Sequence, residues 1–247
     1  MIVCPLVCAA GFVDAIAGGG GLISLPAYLI AGLPVHTALG TNKMSSCMGT
    51  ALATGRYARH GFVNLRRSLL CAAFALVGST VGANVALMVS DGTFRIIMLV
   101  VVPLTALYLL RRKDFGEERA PYPRVRTLVL CVAIALSLGI YDGIYGPGTG
   151  TFLILLFMTV AHLSLDEAAG TCKVVNLTTN VAALTVFLTH GTVWLALGLT
   201  AGIFNMIGAW VGTSFFMGKG VRIVRPLMLC VLAVFFVKLL WDVVSGT

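Results

Sequence analysis

Charge is what this 247-residue chain has least of. Lys and Arg number 17, Asp and Glu only 9, and charged residues make up 11% of the total, against about 25% in a soluble domain. Hydrophobic residues reach 59%, and the mean hydropathy is +1.00. An elongated soluble bundle would need polar helix faces, and stretches such as 68–90 have none. The chain reads as an integral membrane protein. Its formal net charge of +8 does not argue for nucleic acid. The bases sit in short loops between apolar runs, as the positive-inside rule requires.

Two further absences narrow the reading. No basic stretch precedes the first apolar run, so no cleavable signal is expected. No C-x-x-C pair occurs among Cys4, Cys8, Cys47, Cys71, Cys131, Cys172 and Cys230. All seven lie in apolar runs and read as small buried hydrophobes rather than disulfide, redox or metal groups. Neither a metal nor a cofactor is expected.

What the chain does have is glycine in unusual places. Gly18-Gly19-Gly20-Gly21 interrupts an apolar stretch that runs from position 2 to 33. Each glycine costs a helix roughly 1 kcal/mol against alanine. In hydrocarbon a freed backbone group costs several kcal/mol unless protein or water satisfies it. A helix broken at membrane depth is tolerated mainly where it lines a site. The break recurs at Asp142-Gly143-Ile144-Tyr145-Gly146-Pro147-Gly148-Thr149-Gly150.

The recurrence belongs to a duplication of the whole chain. Asp14 pairs with Asp142, and Gly18 and Gly20 with Gly146 and Gly148. After a small insertion Gly40, Thr41 and Lys43 pair with Gly170, Thr171 and Lys173. His60-Gly61 then matches His190-Gly191, Gly78-x-x-x-Gly82 matches Gly208-x-x-x-Gly212, and Arg95 matches Arg225. Each half holds one broken element and three spans, 34–57, 68–90 and 94–110 in the first, 164–189, 192–216 and 226–244 in the second. Most are near the ~20 residues that a crossing helix needs. Ser164-Leu165-Asp166-Glu167 reads as a capping box at a helix start. Residues 1–110 form the first membrane repeat, 111–126 a cytoplasmic connector, and 127–247 the second repeat.

Residues 22–33 alone would rise about 18 Å, a little over half of a ~30 Å core. That length suits a re-entrant hairpin. Charge supports the choice. If the hairpins do not cross, Arg56, Arg59, Arg66, Arg67, the bases of 111–126, Lys219, Arg222 and Arg225 all face one side. If they do cross, the last three land opposite the rest, against the positive-inside rule. The expected fold is therefore an all-α polytopic membrane protein of two inverted repeats, each a broken re-entrant helix hairpin plus three transmembrane helices. Basic loops face the cytoplasm and both termini lie outside the cell (inner) membrane. Inverted repeats with broken helices at the midplane are a transporter architecture.

Lys43 and Lys173 each stand nine residues into their spans, about 14 Å deep and close to mid-membrane. A lysine there should face a partner or a wet cavity. Asp14 and Asp142 precede the breaks at similar depth, so four charges sum to zero. Helix N-termini at the breaks add partial positive charge and free N–H groups. The centre favours an anion, the more so if an aspartate takes a proton. The candidate binding residues are Gly18, Gly19, Gly20, Gly21, Asn42, Lys43, Ser46, Gly148, Thr149, Gly150, Thr151, Lys173, Asn176 and Asn180. Asp14 and Asp142 are candidates for proton coupling, or else they only neutralise the lysines and fix helix packing. The lysines themselves read as substrate ligands or as structural ion pairs, and the mid-helix Ser, Thr and Asn as ligands or as interhelical glue. Gly78-x-x-x-Gly82 and Gly208-x-x-x-Gly212 read as packing faces. His60 and His190, at span ends, mark the membrane interface rather than a proton relay.

At these residues the chain resembles the sulfite exporter TauE/SafE family of membrane permeases. Gly11-Phe12-Val13-Asp14-Ala15-Ile16-Ala17 with Gly18 to Gly21 matches a G-F-x-D-x-I-A-G-G-G-G stretch, and Tyr141 to Gly150 matches Y-D-G-x-x-G-P-G-T-G. Thr41-Asn42-Lys43 and Lys173-Val174-Val175-Asn176 resemble the same branch. The resemblance covers essentially the whole chain. It implies a permease, not an enzyme, for small sulfur-containing anions such as sulfite, sulfonates or thiosulfate, working by alternating access. A passive anion channel is the alternative, since re-entrant hairpins also build filters. An intramembrane aspartyl protease fits less well, because symmetric lysines are a poor setting for a shared proton. Small anions and the lipid bilayer are the expected partners.

Overall fold

The structure is a computed structural model, and it describes residues 2–90 and 120–219 together with positions 93, 226, 233, 237 and 241. The expected span 94–110, all but positions 226, 233, 237 and 241 of the expected span 226–244, residues 111–119 of the connector, and Arg95, Arg222, Arg225 and Cys230 lie outside the described residues. All regular structure among the described residues is helical. The helices are α1 (Val3–Ala17), α2 (Gly21–Ile30), α3 (Val35–Arg59), α4 (Leu65–Met88), α5 (Arg124–Ile144), α6 (Thr149–Thr159), α7 (Leu165–Thr189) and α8 (Leu195–Lys219).

Four of them, α4, α5, α7 and α8, are long and apolar enough to cross a membrane. Helix α3 is as long as α7 but fails on composition, because Thr41, Asn42, Lys43, Ser45 and Ser46 occupy its middle. Each of those five is buried or half-buried, so its polarity is turned inward. Large apolar side chains such as Phe74, Val81, Ile203 and Trp210 point outward, which is the inside-out pattern of a bundle solvated by lipid.

Both glycine stretches end helices. Gly18 closes α1 in the left-handed region at φ 71°, its N–H bonded to the Asp14 carbonyl. After α5, Gly146 and Gly148 take φ 92° and 85°, and Tyr141 Oη donates to the Pro147 carbonyl at 2.8 Å, pinning the break. The start of α7 is capped by Ser164 Oγ, which accepts from the Glu167 N–H. The other half of the expected capping box is not made: the Glu167 carboxylate lies 3.1 Å from Arg67 of α4. An arginine across the helix interface is the stronger partner for it.

Glycine contacts fix the direction of each helix. Gly78 and Gly82 of α4 lie on the backbone of α5 near Leu136 and Ile140, so these two helices run the same way. Gly208 and Gly212 of α8 lie likewise on α1 at Cys8 and Phe12. Both G-x-x-x-G motifs are thus packing faces. Gly40 and Gly49 of α3 meet Thr192 and Asn205, so α3 runs with α8; Gly170 of α7 meets Phe62, just ahead of α4. Helices α3 and α7 are antiparallel, the late Thr54 donating to the early Lys173 carbonyl at 3.0 Å. Helices α1, α3 and α8 therefore run one way and α4, α5 and α7 the other. Arg56, Arg59, Arg66, Arg67, Arg124 and Arg126 gather at one end of the bundle, and among the described residues no Lys or Arg lies at the opposite end.

Candidate functional site

The hairpin α1–α2 enters from the end without bases and α5–α6 from the basic end, and their tips touch. The Thr151 N–H donates to the Gly18 carbonyl at 3.2 Å and its hydroxyl to the Ala17 carbonyl at 2.9 Å. A Cβ on Gly150 would lie 2.5 Å from the Gly18 Cα, so only glycine permits the approach. Helices α3 and α7 cross beside the tips and bring in the lysines.

The charges pair across the two halves. Lys43 Nζ donates to Asp142 Oδ2 at 2.6 Å. Lys173 Nζ reaches Asp14 Oδ2 at 3.1 Å and also donates to the Asp14 main-chain carbonyl. Gly146 leaves room beside the first pair, since a Cβ there would stand 3.0 Å from Lys43 Nζ. The pairs resemble each other in sequence but not in burial. The Asp142 side chain is 6% exposed and Lys43 3%, whereas Asp14 is 21% exposed and Lys173 0%. Neither carboxylate bonds the other; each is held by its own lysine.

A polar pocket opens between the tips and the two crossing helices. It leaves about 30 Å³ for the centres of water-sized molecules, where a single water needs roughly 10–15 Å³. Its walls come from Asp14, Gly18 and Gly21 of the first hairpin, and from Asp142, Gly146, Thr149 and Gly150 of the second. The crossing helices contribute Asn42, Lys43, Ser46 and Thr50 from α3, and Asn176 and Asn180 from α7. Among the described residues the side chains of Ser46, Thr50, Asn176 and Asn180 have no protein partner, although Thr50, Asn176 and Asn180 are buried. All four line the pocket, where water or a polar guest can meet their hydrogen-bonding groups.

Eleven of the sixteen candidates from sequence thus meet at one pocket. The others lie just off its wall. Gly19 and Gly20 form the bend, Gly20 tight against the Ala10 carbonyl. Gly148 caps α6, Thr151 clamps the tips, and Lys173 is sealed behind Asp14. Neither His60 nor His190 is on the wall; each ring Nδ1 lies 2.8 Å from the carbonyl four residues back, at a helix end. Sequence reasoning missed three residues. Thr50 could have been found, since the spacing that pairs Lys43 with Lys173 also pairs Thr50 with Asn180. Gly146 was visible as the partner of Gly18. Ser24 carried no signal: its hydroxyl donates to Asn42 Oδ1 at 2.6 Å and so fixes the amide of a pocket-lining residue.

Apolar helices packed around a buried, charge-bearing pocket between two broken helices are the build of a membrane transporter. The sequence profile of the sulfite exporter TauE/SafE family matches residues 3–239, and the chain belongs to that family. It is 39% identical over 233 residues to the probable membrane transporter protein ORF9 of Sinorhizobium sp, covering 94% of this chain and 89% of that one. It is 36% identical to the probable membrane transporter protein YfcA of Escherichia coli K12, covering 94% and 86%. A probable membrane transporter protein of Haemophilus influenzae is 33% identical, covering 94% and 91%. No solved structure matches the chain.

Proposed function

We propose that this transporter exports small sulfur-containing anions such as sulfite, sulfonates or thiosulfate, holding each anion in the pocket between the hairpin tips and alternating its access to the two sides of the inner membrane. The two halves act as inverted repeats in this reading, and the basic end of the bundle faces the cytoplasm. The observation that carries it is the pocket wall: the Lys43 ammonium with four unpartnered polar side chains beside it. Sulfur oxyanions offer three or more acceptor oxygens, and the Asn, Ser and Thr side chains with Lys43 offer donors from opposite sides.

Calorimetry on the purified protein with sulfite, thiosulfate, sulfate, sulfoacetate and taurine tests the site. At least one sulfur oxyanion should bind, and Lys43→Ala should weaken it by one to two orders of magnitude, the value of a charge-assisted hydrogen bond of roughly 1.5–3 kcal/mol. Unchanged affinity in Lys43→Ala would remove the pocket from the reaction. Planar-bilayer recording separates transport from a channel, whose currents far exceed transporter turnover.

A further inference from the structure

We infer that Asp14, and not its counterpart Asp142, is the group that takes up a proton when the anion binds, so that one proton accompanies each monovalent anion. The inference rests on the pocket being the anion site. Lys43, Asp142 and Asp14 line it and Lys173 stands behind Asp14, and the four charges cancel. An added anion would leave a net negative charge in a water-poor centre, a burial that costs several kcal/mol when nothing compensates it. A proton on one carboxylate restores the balance.

The two carboxylates are not equally able to take that proton. Lys43 has Asp142 as its hydrogen-bond partner at 2.6 Å; protonating Asp142 would end the ion pair and leave that buried ammonium only a neutral carboxyl oxygen as its protein acceptor. Lys173 has a second acceptor, the Asp14 main-chain carbonyl. When Asp14 Oδ2 gains a proton, an O–H bond forms, the ion pair ends, and the Lys173 ammonium keeps a partner. Both carboxylates line the pocket, and Asp14 is the more open of the two, 21% exposed against 6% for Asp142, so it has the readier access to water. Around Asp14, α7 presents Lys173 and Cys172, α3 presents Lys43 and Tyr57, and α5 presents Asp142 across the pocket. Helix α2 contributes Tyr28, whose hydroxyl donates to Ser45 Oγ at 2.8 Å, helix α6 contains no titratable side chain, and the sole charged residue of α8 is Lys219 at its far end.

The test is calorimetry on the full-length protein with methanesulfonate and with thiosulfate, whose own charges stay fixed between about pH 5 and 8. Titrations in two buffers of different ionisation enthalpy count the protons absorbed per anion. The parent protein should absorb about one per methanesulfonate, and its affinity should fall toward tenfold for each pH unit of rise. Asp14→Asn should bind with no proton uptake and with a flat pH profile. Asp142→Asn should still absorb its proton, and Asp14→Glu should restore uptake. Binding without proton uptake in the parent, or persistent uptake in Asp14→Asn, overturns the assignment while leaving the anion site standing. No binding of either probe at any pH overturns the anion site itself.

Discussion

A single methyl group at Gly18 is enough to part the two hairpins. The residue holds a left-handed φ of 71°, and a Cβ there would fall 2.7 Å from the Thr151 nitrogen, on the backbone of the facing tip. Gly18→Ala should therefore lose at least ~2 kcal/mol from conformation and overpacking together. Gly55 is the control: it lies inside α3 with nothing within 4 Å of its would-be Cβ, and Gly55→Ala should gain about 1 kcal/mol. Thermal unfolding in detergent would show one midpoint falling and the other rising. Both glycines were plain in the sequence, but only the facing chain tells them apart. The same holds for the charges. Depth put two lysines and two aspartates together, yet either pairing would have neutralised them. Which acid meets which lysine depends on how far each hairpin reaches past the centre.

At the scale of the element, α3 is the helix that composition alone would misjudge. Its polar middle disqualifies it as a lipid-facing span, while its position between α7 and α8 keeps that polarity away from lipid. The repeat pattern made it legible, because it supplied a more apolar counterpart in α7. What the pattern could not supply was the orientation of Asn42, which depends on a serine one helix away. Ser24→Ala should free the Asn42 amide to turn, weakening anion binding by roughly fivefold for a lost net hydrogen bond of about 1 kcal/mol. Ser24→Thr, which keeps the hydroxyl, should retain most of the affinity. Calorimetry with thiosulfate on both variants checks this, and equal loss in both would mean that Ser24 only fills space.

Taken as a whole, the molecule is laced together across its two halves. Helix α1 of the first half lies backbone to backbone on α8 of the second, and α4 of the first on α5 of the second. Such glycine seams resist sliding. A second boundary runs between α1, α3 and α8 on one side and α4, α5 and α7 on the other, through the pocket and the hairpin tips, and no glycine seam crosses it between α3 and α7. Bodies that move during transport should be these interlaced sets rather than the halves as the chain orders them. In a background freed of native cysteines, a disulfide between Ala17→Cys and Thr151→Cys should stop vesicle transport until reduced. Linking Phe12→Cys to Phe215→Cys, whose rings stand 5.8 Å apart across the α1–α8 seam, should leave it running. The opposite result would return the motion to the halves. The crossed lysine–aspartate pairs have one more consequence. Empty, the centre carries no net charge, and under the proton uptake inferred for Asp14 a monovalent anion arriving with its proton would leave it with none. Membrane voltage, worth about 2.3 kcal/mol per elementary charge at 100 mV, would then have nothing to pull on in either form, and the direction of flow would be left to the gradients of anion and proton.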